Sequence, residues 1–145
     1  MNLWSAWDVS ATGLAAQRVR VELLVQNLVN SETTRTPEGG PYRRRDAIFM
    51  ADPMPASFSV QLARAMGEPL VGVRVAEVTV DESEPERRYR PGHPDADADG
   101  LVAFPRLNPV EDMVDLTSAV RSYQANLSAM NAVKEMLQRS IDLAR

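Results

Sequence analysis

The sequence predicts an α+β protein in which long N- and C-terminal helices pair as an antiparallel coiled coil beside a small β-rich middle. Three observations carry that prediction. All ten prolines, and every glycine except Gly13, fall between Pro37 and Pro109. Proline costs about 3 kcal/mol inside a helix, so its confinement leaves two helix-competent ends around a segment that turns often. Each end carries apolar residues at helical spacing, whereas the middle carries short runs of alternating valine. The expected division is residues 1–34 with 108–145 as a discontinuous helical core, and 35–107 as a Pro/Gly-rich β and loop region.

At the N-terminal end Trp7, Leu14, Val21 and Leu28 recur every seven residues, and Leu24 and Val25 widen the face. Ser10 and Gln17 occupy the intermediate seam positions, so this stripe is the less apolar of the two. Asp8 is the expected N-cap. Asn30-Ser31, followed by Thr33-Thr34 and Thr36-Pro37, is expected to end the helix in an extended stretch.

The C-terminal stripe runs Met113, Leu116, Val120, Tyr123, Leu127, Met130, Lys134, Leu137, Ile141 and Ala144. Its mean spacing of 3.5 residues holds one face against a neighbouring helix along the whole length. Lys134 alone breaks it, either to specify register or to lay its stem along the seam with the ammonium in water. Asn108 is the expected N-cap, with Pro109 at the first helical position and Glu111 placed for a capping box. Glu111, Asp112 and Asp115 suit the positive end of the helix dipole, and Arg139 and Arg145 the negative end. The N-terminal segment is shorter, so part of this seam is expected to meet another subunit.

In the middle, Val71, Val73 and Val75 alternate, then Val78 and Val80 alternate in the opposite phase. A shift at Ala76–Glu77 is the signature of a β-bulge, which re-aims a strand by one residue. Ala47–Met50, Arg87–Arg90 and Leu101–Phe104 are the expected partner strands. Met54–Glu68 is ambiguous, with Ser57–Met66 open to an amphipathic turn or two or to a loop.

Bulk composition narrows the function. The chain has 145 residues and a net charge of −4, which gives no pull towards nucleic acid or an anionic membrane. No run approaches the ~18 apolar residues of a transmembrane helix. The first 29 residues lack the basic n-region and apolar core of a signal peptide, so no cleaved leader is expected. With no cysteine and one histidine there is little material for disulfides, thiol chemistry or zinc. No cofactor is expected.

Three patterns resemble chemical sites. Asp95-Ala96-Asp97-Ala98-Asp99-Gly100 matches the opening of a calcium loop, but the twelfth position, where a bidentate carboxylate belongs, is Arg106. A structural turn is the expected reading. His93, between Pro91-Gly92 and Pro94-Asp95, has no evident nucleophile to serve and is read as part of a rigid turn. Pro41-Tyr42-Arg43-Arg44-Arg45-Asp46 is too small a basic cluster for nucleic acid and is read as a solvated loop or a salt-bridging surface between subunits. No catalytic residues and no metal ligands are therefore expected.

Specific motifs go further than composition. Asn27-Leu28-Val29-Asn30-Ser31-Glu32-Thr33-Thr34 resembles the N-terminal signature of flagellar axial proteins. Residues Glu32 to Arg44, including Gly39, Gly40, Pro41 and Tyr42, narrow the resemblance to the FlgC family of basal-body rod proteins. Pro91-Gly92-His93-Pro94-Asp95-Ala96-Asp97, Asn108 to Leu116, and Tyr123-Gln124-Ala125-Asn126 with Asn131 and Lys134 also resemble that family. The chain departs from it at Val29, where alanine is usual, at Gln138-Arg139-Ser140, which is more polar, and in Met54–Leu70, which matches no assignable part.

The resemblance implies a structural subunit of the proximal rod, in the part of the basal body that spans the periplasm. It implies export through the flagellar type III apparatus and terminal helices that order together on assembly. The implied partners are further copies of the chain and other proximal and adjoining distal rod proteins, with no membrane insertion. Helix packing into concentric tubes that transmit torque is the implied mechanism. The competing reading from residues alone is a small cytoplasmic coiled-coil adaptor.

Overall fold

The computed structural model describes residues 3–53 and 71–143. Met54–Leu70, Ala144 and Arg145 lie outside the described residues, and with them the ambiguous segment and the last seam position. The order of elements is α1 (Leu3–Val29), β1 (Arg45–Pro53), β2 (Val71–Val80), β3 (Glu86–Tyr89), β4 (Leu101–Phe104) and α2 (Pro109–Leu143). The chain is thus α+β, with its two long helices packed together and the strands between them in sequence.

At about 1.5 Å per residue, the 27 residues of α1 span about 40 Å and the 35 of α2 about 52 Å. They run antiparallel. Gly13 of α1 abuts Asn126 of α2, Val21 shares a cleft with Val120 and Tyr123, and Leu23 and Leu24 share another with Asp115. Their core is thin and built largely from small side chains: Ala16, Leu23, Leu24, Ala119 and Val133 are buried.

The cap of α2 is where the sequence places it. Asn108 Oδ1 accepts the amide of Val110 at 3.2 Å, and the Asn108 carbonyl accepts the amide of Asp112 at 3.1 Å. The cap of α1 is not. Asp8 lies inside a helix that begins at Leu3, because a cap contributes only about 1 kcal/mol and the turn before it continues the helical pattern. At the other end of α1, Asn30 Nδ2 donates to the Gln26 carbonyl at 2.8 Å and helps close the last turn.

The strands form two separate antiparallel pairs, β1 with β2 and β3 with β4. In the first, Ile48 pairs with Glu77 and Phe49 with Val75, so Ala76 is the extra residue of a bulge at the expected place. The bulge keeps all five valines of β2 on one face, opposite Ala47, Phe49 and Ala51. Gly72 lies against Thr12 of α1, whose hydroxyl accepts the amide of Val73 at 3.1 Å and fastens this ribbon to the helix. In the second pair Val102 and Phe104 are buried. The guanidiniums of Arg88 and Arg90 each lie 5.3 Å from the centre of the Phe104 ring, and His93 meets it edge-on at 6.1 Å.

Candidate functional site

The two helices carry more apolar surface than they use on each other. On α2 the stripe divides into two lines. Leu116, Tyr123, Met130 and Leu137 are half-buried on the side of α1. The positions between them on that side are Asp112, Ala119, Asn126 and Val133, also seven residues apart, and all are buried or half-buried. One residue further round, Met113 (53% exposed), Val120 (37%), Leu127 (44%) and Ile141 (64%) form an outer line, with Lys134 exposed between the last two. On α1 Leu24 is buried, Leu14, Val21 and Leu28 are half-buried, and Val25 and Val29 are exposed. The cleft of Val21, Val120 and Tyr123, rimmed by the Arg18–Glu22 ion pair at 2.9 Å, is open and apolar. An apolar strip of this length left in water is the mark of a protein-binding surface.

Beneath the end of the helix pair lies a polar joint. Asn27 is fully buried in α1. Its Nδ2 donates to the Arg45 carbonyl at 2.9 Å, and its Oδ1 accepts the Arg45 amide at 3.0 Å and the Tyr42 hydroxyl at 2.9 Å. The side chain thereby makes with Arg45 the two bonds that a neighbouring strand would make, and it fixes where β1 begins. Burial pushes the Tyr42 phenol above its ordinary pKa.

Arg44 completes the joint. Its Nε donates to Asp46 Oδ2 at 2.8 Å, and its Nη1 lies 3.2 Å from Oδ1 of Asp112 in the first turn of α2. Both Asp112 oxygens are buried and have no hydrogen-bond partner among the described residues. Burial pushes this carboxyl above the usual range; Arg44 pulls it down, while Asp46, Asp115 and Glu111 push it further up. Arg44 itself is raised, chiefly by its bond to Asp46.

The motif residues of the loops lead on from this joint, whereas those of the second half of α2 lie further along the helix. Thr33 Oγ1 donates to Asn30 Oδ1 at 3.2 Å, and its carbonyl accepts the Tyr42 amide at 3.0 Å. Thr34 Oγ1 donates to Asp95 Oδ2 at 2.8 Å, joining the two motif stretches. Gly39 and Gly40, at φ of +93° and +78°, make the turn that brings the chain back, with the Thr36 amide on the Gly40 carbonyl at 2.8 Å. Pro91, Gly92 and Pro94 are exposed, and His93 is half-buried, its Nδ1 accepting the Asp95 amide at 3.1 Å. Asn126 is half-buried against Gly13, whereas Asn131 and Lys134 are exposed on α2.

The run of aspartates after His93 is a turn held by itself. Asp97 Oδ1 accepts the amides of Asp99 at 3.0 Å and Leu101 at 2.8 Å, and Gly100 closes it at a φ of +72°. Among the described residues no group of three or more histidine, cysteine, aspartate or glutamate side chains is placed to hold a metal. No described helix is long and apolar enough to cross a membrane.

The expected apolar stripe did not include Arg44, Asp112, Ala119 and Val133, which hold the joint and the inner line. The available signal was the seven-residue recurrence of Asp112, Ala119, Asn126 and Val133 beside the apolar stripe. Two of those residues are polar and one is small, so an apolar count passes over all but Val133.

Comparison with known proteins agrees with the motifs. The profile of the flagellar basal body rod FlgEFG protein C-terminal family matches residues 107–143. Over its full length the chain is 40% identical to the flagellar basal-body rod protein FlgC of Bacillus subtilis and 35% identical to that of Salmonella typhimurium, covering all of each. It is 39% identical to the protein of the same name from Borreliella burgdorferi, with 97% of both chains aligned.

Proposed function

The chain belongs to the FlgC family of flagellar basal-body rod proteins, and from that premise we propose that the outer line of α2 is the surface by which it joins the rod. The family is structural, and the chain is a rod subunit rather than an enzyme. Membership decides between the two readings left open by the residues alone, in favour of the rod over the cytoplasmic adaptor.

One observation carries the assignment of surface. Met113, Val120, Leu127 and Ile141 keep between a third and two thirds of their surface exposed, at seven-residue multiples along a single face. Burying a side chain of this kind contributes about 1.5–3 kcal/mol, so a neighbouring helix gains several such terms at once. The open cleft beside Val21 and Tyr123 supplies the groove for it.

In this reading the helix pair, with residues 35–107 as an outer β and loop region, packs with further copies and with other proximal and distal rod proteins. The packed helices form a tube that transmits torque. The subunit is placed in the proximal, periplasm-spanning part and reaches it through the flagellar type III apparatus. The motif residues Asn27, Asn30, Thr33, Thr34 and Tyr42 act by fixing the joint between the helix pair and the strands.

The test replaces Leu127 or Leu137 with aspartate in cells that lack their own copy. Loss of rods and of swimming is expected, while His93→Ala leaves swimming largely intact. Normal rods in the Leu127→Asp strain would remove the assignment of the outer line.

A further inference from the structure

Where α1 ends and α2 begins, the turn at Gly40 and the loop after β2 enclose a cavity of about 80 Å³. Tyr42, Arg43, Arg44, Asp81 and Arg106 are among the residues that line it. One water needs roughly 10–15 Å³ on this measure, so there is room for a larger polar group. Gly40, which also lines it, has nothing within 4 Å of the position a Cβ would take.

The charges around it are unequally committed. Arg44 is held from behind by Asp46 and Asp112. Asp81 already accepts two hydrogen bonds from Ser83, from its amide at 2.9 Å and its hydroxyl at 2.6 Å. Arg43 and Arg106 are exposed, and among the described residues neither forms an ion pair. Two arginines outside any ion pair thus line a cavity whose one carboxylate already accepts two hydrogen bonds. A guanidinium binds a carboxylate through two parallel N–H···O bonds, and such a pair sets geometry as well as attraction.

The geometry points to this cavity as a socket for a carboxylate side chain of an adjacent rod subunit, held between Arg43 and Arg106. The inference rests on the assembly reading above and adds to it a polar contact at the end of the helix pair. Apolar seams tolerate sliding by whole heptads, whereas a buried charge pair fixes one register. The socket therefore supplies register to a contact whose strength comes from the seam.

The experiment uses the full chain in cells that lack their own copy. Arg43→Glu with Arg106→Glu is compared with Arg43→Lys with Arg106→Lys, and rods and swimming are scored together with the helix content of the purified chains. The glutamate pair is expected to lower swimming at least tenfold with helix content unchanged, and the lysine pair to retain most of it. Swimming revertants of the glutamate pair are expected to carry an acid-to-base change in another rod subunit. Swimming at the parental level, or revertants confined to this chain around Asp81 and Ser83, would overturn the socket. If the glutamate pair loses helix content, Arg43→Gln with Arg106→Gln carries the same comparison. A normal glutamate pair beside a failed Leu127→Asp strain removes the socket alone, whereas a normal Leu127→Asp strain removes the assembly surface.

Discussion

The Thr34 hydroxyl donates to Asp95 Oδ2 at 2.8 Å across 61 residues of sequence. It ties the loop that leaves α1 to the turn between β3 and β4. Asp95 is fixed from its own side as well, because its amide donates to His93 Nδ1 at 3.1 Å. His93 thereby braces Asp95 from within its own turn. The contact gives a physical reason for two separated motif stretches to occur in one protein, since each holds one end of it.

Thr34→Val is therefore expected to destabilise the chain by about 0.5–1.5 kcal/mol, the usual net value of one hydrogen bond. Asp95→Ala should cost a similar amount, and the double variant less than the sum of the two. Denaturant unfolding of the four proteins measures the coupling. Strict additivity would mean that the bond contributes nothing in solution.

Asn27→Ala is expected to cost more, about 2–4 kcal/mol, because it strands three partners at once. The Arg45 amide, the Arg45 carbonyl and the Tyr42 hydroxyl all lose their bonds to a fully buried side chain. Stranded buried groups cost about 1–3 kcal/mol each when water cannot reach them. Tyr42→Phe removes one bond and leaves Asn27 two, so about 1 kcal/mol is expected there. Hydrogen exchange at the Arg45 amide separates the two variants: it should be fast in Asn27→Ala and slow in Tyr42→Phe.

Two glycines should respond differently to alanine. At Gly72 an added Cβ would lie 2.9 Å from Thr12 Oγ1 and 3.2 Å from its Cγ2. Thr12 cannot swing aside without releasing the Val73 amide and its own bond to the Val9 carbonyl. Gly72→Ala should then cost about 1–3 kcal/mol as overpacking. At Gly13 the nearest atom is Asn126 Nδ2 at 3.2 Å, and alanine in mid-helix gains up to about 1 kcal/mol. Thermal unfolding should show Gly13→Ala close to neutral, and equal losses at the two sites would contradict this account.

These contrasts show what could be read in advance and what could not. Strand β2 and the bulge at Ala76 were legible because side chains in a strand alternate with period two, and a phase change leaves a visible trace. Both long helices were legible for the same kind of reason. The inner line of α2 was not, because Asp112, Ala119 and Asn126 meet α1 through smallness or polarity rather than through apolar bulk. Nor was the joint of Asn27, Arg44 and Asp112, whose members are far apart in sequence and meet only once the helices have paired. Asp8, a good local cap, does not start α1, because one more turn of helix outweighs it.

Asp112 gives the last prediction, because its surroundings oppose its charge. The carboxyl is buried, among the described residues only Arg44 pairs with it, and Asp46, Asp115 and Glu111 repel it, so its pKa in the folded chain is raised. In the unfolded chain the group returns to the ordinary carboxylate range, so between those two values the folded chain binds the extra proton. Stability from this site is accordingly present at low pH and lost as pH rises through the raised value. Asp81 and Glu86 have the opposite sign, their pKa values being lowered by hydrogen bonds from Ser83 and Arg88, so raw unfolding curves mix the two trends. The difference between the wild type and Asp112→Asn isolates the site. As pH falls from about 7 towards the ordinary carboxylate value of about 4, the wild type should gain in Tm relative to Asp112→Asn. Arg44→Met, which removes the one attraction, should carry that gain to higher pH. A wild type that instead loses ground to Asp112→Asn on acidification would show that the ion pair with Arg44 outweighs the burial.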